Sequence, residues 1–319
     1  MIGNALLFSL TANKQLTQDI ADILHIKVSD VNVFHFADGE ILCEPIDSVR
    51  EQNCYIVQST CYPVTAHLFE LLIFVDALKR SSAHKITVIM PYYGYARQDR
   101  KSKPRQPITS RLVADLLKTA GVDRVVCVDL HASQIQGFFS CLVDDLTAIP
   151  LLASHFANVD TSDWITVSPD HGGVNRARRV AERLNTSLAI IDKRRSKPNE
   201  AEVMNIVGDV KGKHCLMIDD MIDTAGSCSE GAKALLAQGA KDVRIACTHG
   251  IFSKPASDRL LKTDLFKEIV TTDSIPLKDE MKDPRVTVLS LAPMLAKIIE
   301  HLELGKPLSF VYDMFVEKI

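Results

Sequence analysis

Residues 215–227 read Cys-Leu-Met-Ile-Asp-Asp-Met-Ile-Asp-Thr-Ala-Gly-Ser: an apolar run, two adjacent carboxylates, then an acidic, hydroxyl-rich turn. Cys215 to Ile218 predicts a buried parallel strand, and Glu230 to Gln238 has helical composition. The turn between them should therefore point backbone N–H groups at an anion. Asp219 and Asp220, at the carboxyl end of the strand, stand where ribose hydroxyls or a metal would be held. Thr224, Gly226 and Ser227 offer hydroxyls and close backbone approach to a phosphate. Ligands of parallel sheets bind outside the carboxyl ends of the strands. The plainer reading is a strand-to-helix turn in which Asp and Ser act only as caps.

Outward from this stretch, short β-branched runs alternate with helical stretches. Tyr55–Gln58, Ile86–Met90 and Val125–Val128 predict strands; His67–Arg80 and Thr109–Ala120 predict helices. The pattern restarts with Trp164–Val167, Arg176–Leu184, Leu188–Ile191, Cys215–Ile218, Gly231–Gln238 and Val243–Thr248, followed by short strands at Glu268–Thr271 and Val286–Leu289. This is the signature of an α/β protein with two doubly wound domains and mostly parallel sheets. The expected division is 1–150, 151–304 and a segment 305–319 that returns to the first domain, with the boundary near Pro150-Leu151-Leu152. Lys193 to Lys213 is polar and basic, without a helical pattern, which suggests a functional loop. Val203 to Val210 within it alternates as a hairpin would.

A chain of 319 residues with 46% hydrophobic and 24% charged residues is ordinary for a globular protein. Its formal net charge of -3 gives no electrostatic case for nucleic acid as the main partner. The eight cysteines show neither Cys-x-x-Cys nor zinc spacing, and several lie in apolar runs, so they read as reduced core residues. No apolar run reaches membrane-spanning length and the start lacks a basic signal-peptide region, so a cytoplasmic location without membrane contact is expected. Gly208 to Lys213 lacks both the spacing and the hydroxyl of a Walker loop.

Four more stations carry chemistry. Phe36-Ala37-Asp38-Gly39-Glu40 forms a tight acidic turn, or simply a surface turn. Pro91 to Arg100 follows a buried strand and combines aromatics with Arg97 and Arg100, suited to stacking a base and pairing with a polyphosphate, or else a solvated basic loop. Asp129-Leu130-His131-Ala132-Ser133 and Ser168-Pro169-Asp170-His171-Gly172-Gly173 again place a His or Asp after an apolar strand. Their matched positions suit a shared Mg²⁺-nucleotide site, although a lone histidine there is commonly structural.

Together these blocks resemble the ribose-phosphate pyrophosphokinases, the synthetases of phosphoribosyl pyrophosphate. The likeness runs over nearly the whole chain, and Asp129 to Phe139 with Tyr95 to Asp99 carries it most specifically. The resemblance implies two phosphoribosyltransferase-like domains that bring ATP and ribose 5-phosphate together, with Mg²⁺ as cofactor, in a homo-oligomer that is a hexamer in the family. It implies that Phe36, Asp38, Gly39 and Glu40 (the acids from a neighbouring subunit), with Arg97, Gln98 and Asp99, bind ATP. His131 and Asp170 would bind the Mg²⁺-triphosphate. Asp219 and Asp220 would hold the ribose hydroxyls and a second Mg²⁺, and Asp223, Thr224, Ala225, Gly226 and Ser227 the 5-phosphate. Lys193 and Arg195 match the catalytic pair. Arg50, Arg80 and Arg105, with Ser309, match a regulatory anion site at subunit contacts.

Departures from the family pattern fall mostly away from the expected chemistry: Ala37 for a common Ser, Thr65-Ala66-His67 for an Asn-Asp-Asn run, and Ser227 for Thr with the hydroxyl retained. The tail Leu308-Ser309-Phe310 is poorer in hydroxyls than in strongly regulated members. A salvage phosphoribosyltransferase would explain residues 215–227 but neither Tyr95–Asp99 nor the Asp129 block. A catalytically silent regulatory subunit would be expected to lose some of Lys193, Arg195, His131, Asp170 and Asp223, and all are present.

Overall fold

A computed structural model describes residues 5–194 and 203–309, the side chains of 193, 194, 203 and 204 excepted. In chain order the elements are β1 (Ala5–Ser9), α1 (Lys14–Leu24), β2 (Val28–Ser29), β3 (Val31–His35), β4 (Ile41–Pro45), β5 (Asn53–Val57), α2 (Val64–Arg80), β6 (Lys85–Met90), α3 (Thr109–Ala120), β7 (Arg124–Val128) and β8 (Leu142–Leu146). There follow α4 (Ile149–Phe156), β9 (Trp164–Ser168), α5 (Val174–Leu184), β10 (Ser187–Arg194), β11 (Val203–Val207), β12 (His214–Ile222), α6 (Gly226–Ala237), β13 (Asp242–Gly250), α7 (Ala256–Leu261), β14 (Glu268–Thr272), β15 (Val286–Leu289) and α8 (Ala292–Glu303).

The chain forms two compact units. The first runs to Thr147 and regains Ser274–Pro276 and the stretch that opens at Ser290; the second holds Ala148–Asp273 and Leu277–Leu289. The expected division at 150/151 thus falls inside α4, where Pro150 occupies the first turn, a position that suits proline because the missing N–H is unsatisfied there anyway. The expected span 151–304 is also corrected at its end. Helix α8 belongs to the first unit, where Glu303 accepts hydrogen bonds from Tyr55 Oη (2.7 Å) and Asn53 Nδ2 (3.0 Å) on β5. Most of the expected segment 305–319 lies outside the described residues.

The first unit carries a parallel sheet in the order β2-β1-β5-β6-β7-β8, and β3 and β4 form a separate antiparallel hairpin. Apolar residues on successive strands pack on α2 and α3 around Phe8, Phe74, Leu117 and Val125, with Phe8 and Phe74 edge to face at 5.2 Å. The second unit orders its strands β11-β10-β9-β12-β13-β14-β15, all parallel except β11, which pairs antiparallel with β10. The hairpin expected within Val203–Val210 is instead a single strand, Val203–Val207, paired with β10.

Period-two alternation along β12 builds both cores of this unit. Cys215 and Met217 join one apolar cluster with Leu235 of α6, while Leu216 and Ile218 join the other with Phe156 of α4 and Val180 of α5. The strand does not stop at Ile218: its ladder with β13 continues to Ile222 opposite Gly250, so Asp219 and Asp220 lie within a strand. All eight cysteines are free, and burial pushes the thiols of Cys43, Cys54, Cys215 and Cys228 up to about 12. Among the described residues no helix is long and apolar enough to cross a membrane.

At the opposite end of the second sheet, His155 lies 2.7 Å from Glu268 and His214 2.8 Å from Asp242, while Arg244 contacts both carboxylates and stacks 4.5 Å over Trp164. The hydrogen bond with His155, helped by the charge of Arg244, holds the Glu268 carboxyl below its ordinary 4.5. A depressed carboxylate contributes stability that is complete above its unfolded-state value and is lost as pH falls through the folded value. Glu268→Gln should therefore lower stability at pH 7 by about 1.5–3 kcal/mol and flatten the acid limb of denaturant melts recorded between neutrality and pH 3. An unchanged acid limb would show that the pair contributes nothing.

Candidate active site

The site of the second unit is built where strand order reverses. From β9 the chain goes to β10 on one side and reaches β12 on the other, and such a switch point opens a crevice at the carboxyl ends of the strands. Asp219 and Asp220 line it from β12, and Ser168 to Gly173 line it from β9.

Asp219 Oδ1 accepts the Asp220 N–H at 2.8 Å. Arg176 of α5 faces both acids, with Nη1 3.8 Å from Asp219 Oδ1 and 3.5 Å from Asp220 Oδ1. Burial, and next the charge and hydrogen bond of Asp220, push the Asp219 carboxyl well above the ordinary carboxylate range against the downward pull of Arg176. The two carboxylates with Arg176 beside them present oxygen donors of the kind a hard cation takes. Across the switch point, Asp170 Oδ1 accepts the Gly173 N–H at 2.9 Å and Ser168 Oγ donates to the Asp170 carbonyl at 2.7 Å. This cross-linked turn opens α5 and so aims Arg176. His171 Nε2 lies 2.9 Å from Asp192 Oδ1 on β10, which ties the turn to the strand that carries Lys193.

The turn between β12 and α6 carries one feature the sequence reading did not mark. Helix α6 begins at Gly226, four residues before Glu230, and the residue with left-handed backbone is Ala225 (φ 59°, ψ 11°), not a glycine. An alanine held there costs about 1–2 kcal/mol, the kind of strain that persists where surrounding structure fixes it. Ala225 has no side-chain acceptor for the first helical turn, so capping by this residue does not explain the turn. At Gly226 an added Cβ would lie 3.1 Å from Arg259 Nη1; the tightness there comes from a side chain, and Arg259 also donates to the Thr224 carbonyl at 2.8 Å.

In the first unit, Gly94 is pressed against the segment that follows β5: its N–H donates to Thr60 Oγ1 at 2.6 Å. The chain then turns through Tyr95 (φ 64°) into Arg97 and Gln98, which are exposed, and Asp99, which is buried. Gln134 Nε2 donates to Asp99 Oδ2 at 3.0 Å, and Thr109 Oγ1 to Gln98 Oε1 at 2.5 Å. These bonds fix the loop after β6 to the Asp129–Phe139 block and to α3. Arg97, Gln98 and Arg100 line a cavity of about 230 Å³ with Ser102, Gln106 and Pro107. His131, in the same unit, is exposed.

Phe36, Asp38, Gly39 and Glu40 form the exposed tip of the β3–β4 hairpin, closed by Phe36 N–H to the Glu40 carbonyl at 2.9 Å, with Gly39 at φ 94°. Phe36 meets Phe34 edge to face at 5.1 Å. Arg50 Nη1 reaches Ser82 Oγ at 3.4 Å, just past the last turn of α2, where Arg80 pairs with Asp76 at 2.7 Å. Arg105 lies in the loop at the other end of the sheet, after β6, so one chain does not bring the three arginines together. Ser309 is exposed. Arg195, and the side chain of Lys193 on β10, fall outside what is described. Arg176 and Arg259 escaped the sequence reading because each acts from a helix distant along the chain.

Comparisons with known proteins place the chain in a family. Residues 5–121 match the family described as the N-terminal domain of ribose phosphate pyrophosphokinase, and residues 147–280 match the phosphoribosyl transferase domain. The ribose-phosphate pyrophosphokinase of Bacillus caldolyticus is 50% identical over 307 residues, covering 96% of this chain and 97% of that protein. That of Fusobacterium nucleatum is 50% identical over 313 residues, covering 98% and 99%. The crystal structure of phosphoribosylpyrophosphate synthetase from Mycobacterium smegmatis superimposes with a TM-score of 0.90 at 44% identity, covering 95% of this chain and 99% of that one.

Gly94 offers a test of the loop after β6. A Cβ there would stand 2.5 Å from the Thr60 carbonyl oxygen, a backbone atom that cannot swing aside. Gly94→Ala should displace Arg97 to Asp99 and weaken nucleotide binding about tenfold, in line with the 1–3 kcal/mol typical of overpacking. Titration calorimetry with a non-hydrolysable ATP analogue reads this; parent-like affinity would detach the loop from nucleotide binding.

Proposed function

The chain belongs to the ribose-phosphate pyrophosphokinase family, and we propose how its residues divide the work of making phosphoribosyl pyrophosphate. The reaction transfers the β,γ-diphosphate of ATP to the anomeric hydroxyl of ribose 5-phosphate. The hydroxyl oxygen bonds to the β-phosphorus, the bond from that phosphorus to the α,β-bridging oxygen breaks, AMP leaves, and the hydroxyl proton is released. Little covalent chemistry falls to the protein, so catalysis reduces to positioning and charge stabilisation.

The single observation that carries this assignment is the pairing of Asp219 and Asp220 at the switch point with a phosphate-type turn directly behind them. The carboxylates accept hydrogen bonds from the ribose hydroxyls, and residues 223–227 hold the 5-phosphate at the start of α6. Arg97, Gln98 and Asp99 bind ATP with Phe36, and Asp38 and Glu40 are supplied by a neighbouring subunit of a homo-oligomer, a hexamer as in the family. His131 and Asp170 serve the triphosphate. Arg50, Arg80, Arg105 and Ser309 form a regulatory anion site between subunits, which accounts for arginines at opposite ends of one sheet. A cytoplasmic setting suits eight free thiols.

Mg²⁺ fits the donor set, because all-oxygen ligands such as the Asp219 and Asp220 carboxyls suit it. Among the described residues no group of three or more His, Cys, Asp or Glu forms a protein cage, and this ion is usually held by one or two carboxylates with substrate oxygens completing its shell. When bound, it neutralises phosphoryl charge. Lys193 and Arg195 stabilise the charge that develops on the transferred group.

Incubation with Mg²⁺-ATP and ribose 5-phosphate should yield AMP and phosphoribosyl pyrophosphate in equal amounts; ADP with a phosphorylated ribose would instead indicate single-phosphate transfer. Lys193→Ala should lower kcat by about a hundred- to a thousandfold while leaving both KM values nearly unchanged, because the lysine acts on the transition state more than on bound substrates. Near-normal turnover in that variant would remove Lys193 from the chemistry.

A further inference from the structure

We infer that Arg259 is a positioning residue for the 5-phosphate turn and the source of its preference for a phosphorylated sugar. The inference rests on the assignment of residues 223–227 to ribose 5-phosphate. Arg259 sits on α7 and reaches back across 35 residues of sequence to donate from Nη1 to the Thr224 carbonyl at 2.8 Å. Its guanidinium also approaches the start of α6, since a Cβ on Gly226 would meet Nη1 at 3.1 Å and Cζ at 3.7 Å. The one left-handed alanine of the turn, Ala225, stands between these two contacts. A carbonyl held from outside fixes the peptide plane between Thr224 and Ala225, and with it the direction of the N–H groups that follow.

The segment carrying Arg259 is itself braced on the same turn. The Ile222 carbonyl accepts from both Ile251 N–H and Phe252 N–H at 3.0 Å, and Lys278 Nζ donates to the Phe252 carbonyl at 2.9 Å. Gly250 permits this approach, because a Cβ there would run into the Phe252 ring at 2.3 Å. Residues 250–259 therefore grip the turn at its start through Ile222 and at its centre through Thr224.

Arg259 brings charge as well as a hydrogen bond. It is exposed and makes no ion pair among the described residues, whereas its neighbour Asp258 is already paired with Lys262 at 2.7 Å. An un-neutralised guanidinium beside the N-terminus of α6 attracts a phosphate dianion, to which arginine is geometrically matched. A merely structural arginine would stabilise the turn without distinguishing ribose 5-phosphate from ribose.

Steady-state kinetics on the intact protein, with ribose 5-phosphate varied at saturating Mg²⁺-ATP, test this. Arg259→Ala should raise the KM for ribose 5-phosphate about ten- to thirtyfold while the KM for ATP stays within about twofold. Arg259→Lys, which keeps the charge, should recover part of the loss; Arg259→Gln, which keeps a donor for Thr224 and loses the charge, should recover less. The ribose 5-phosphate KM of the parent should rise with ionic strength more steeply than that of Arg259→Ala or Arg259→Gln. Parent-like KM and salt dependence in both neutral variants would overturn the inference. An Asp223→Ala control separates the two levels: if it loses ribose 5-phosphate affinity while the Arg259 variants do not, only the role of Arg259 fails. If neither substitution changes that affinity, the assignment of the turn fails with it.

Discussion

Two carboxylates on consecutive residues of a buried strand lie beside one guanidinium at the reversal of strand order, and the candidate site of the second unit is built on them. Asp219 and Asp220 cannot both ionise cheaply where burial and mutual repulsion push the Asp219 carboxyl well above its ordinary range. Arg176 pulls the other way from 3.5 and 3.8 Å. A core strand that only stabilised the fold would carry apolar residues at these positions, as it does from Cys215 to Ile218. Under the proposed assignment, a cation and the sugar hydroxyls complete the pair.

The remainder of the unit holds this arrangement in place. The β9/β12 reversal opens the crevice, the Asp170–Gly173 turn aims α5 and its Arg176, and the β12–α6 turn keeps an alanine left-handed under the grip of Arg259. Each support arrives from a different segment, and each acts on backbone or on charge more than on apolar packing. The charged cluster of His155, Glu268, Arg244, Asp242 and His214 lies at the other end of the same sheet, where it bears on stability and leaves the crevice to the ligands.

Much of this was legible in the sequence because the signals were local. The apolar runs of β6, β7, β9 and β13, the amphipathic stretches of α3 and α5, and the acid pair before a glycine-containing turn were visible within windows of a dozen residues. Elements whose apolar signal is diluted were harder to see. Leu142–Leu146 carries two aspartates, and β12 was cut short at its own acids because charge inside a strand reads as the end of a strand. Placement of α8 with the first unit depends on Glu303 meeting Tyr55 and Asn53, a contact between the two ends of the chain. The sequence did mark the phosphate-type turn but not the left-handed backbone at Ala225, since nothing in a one-dimensional pattern says that an alanine takes that conformation beside an arginine from a distant helix.

The most direct test of the account is the position of ribose 5-phosphate in a crystal structure of the protein with that sugar phosphate and Mg²⁺ bound. The phosphate oxygens should lie within hydrogen-bond distance of the backbone N–H groups of residues 225–227, at about 2.7–3.2 Å, with the ribose hydroxyls turned toward Asp219 and Asp220. Density for the sugar phosphate away from the β12–α6 turn, with that turn left to solvent, would contradict it.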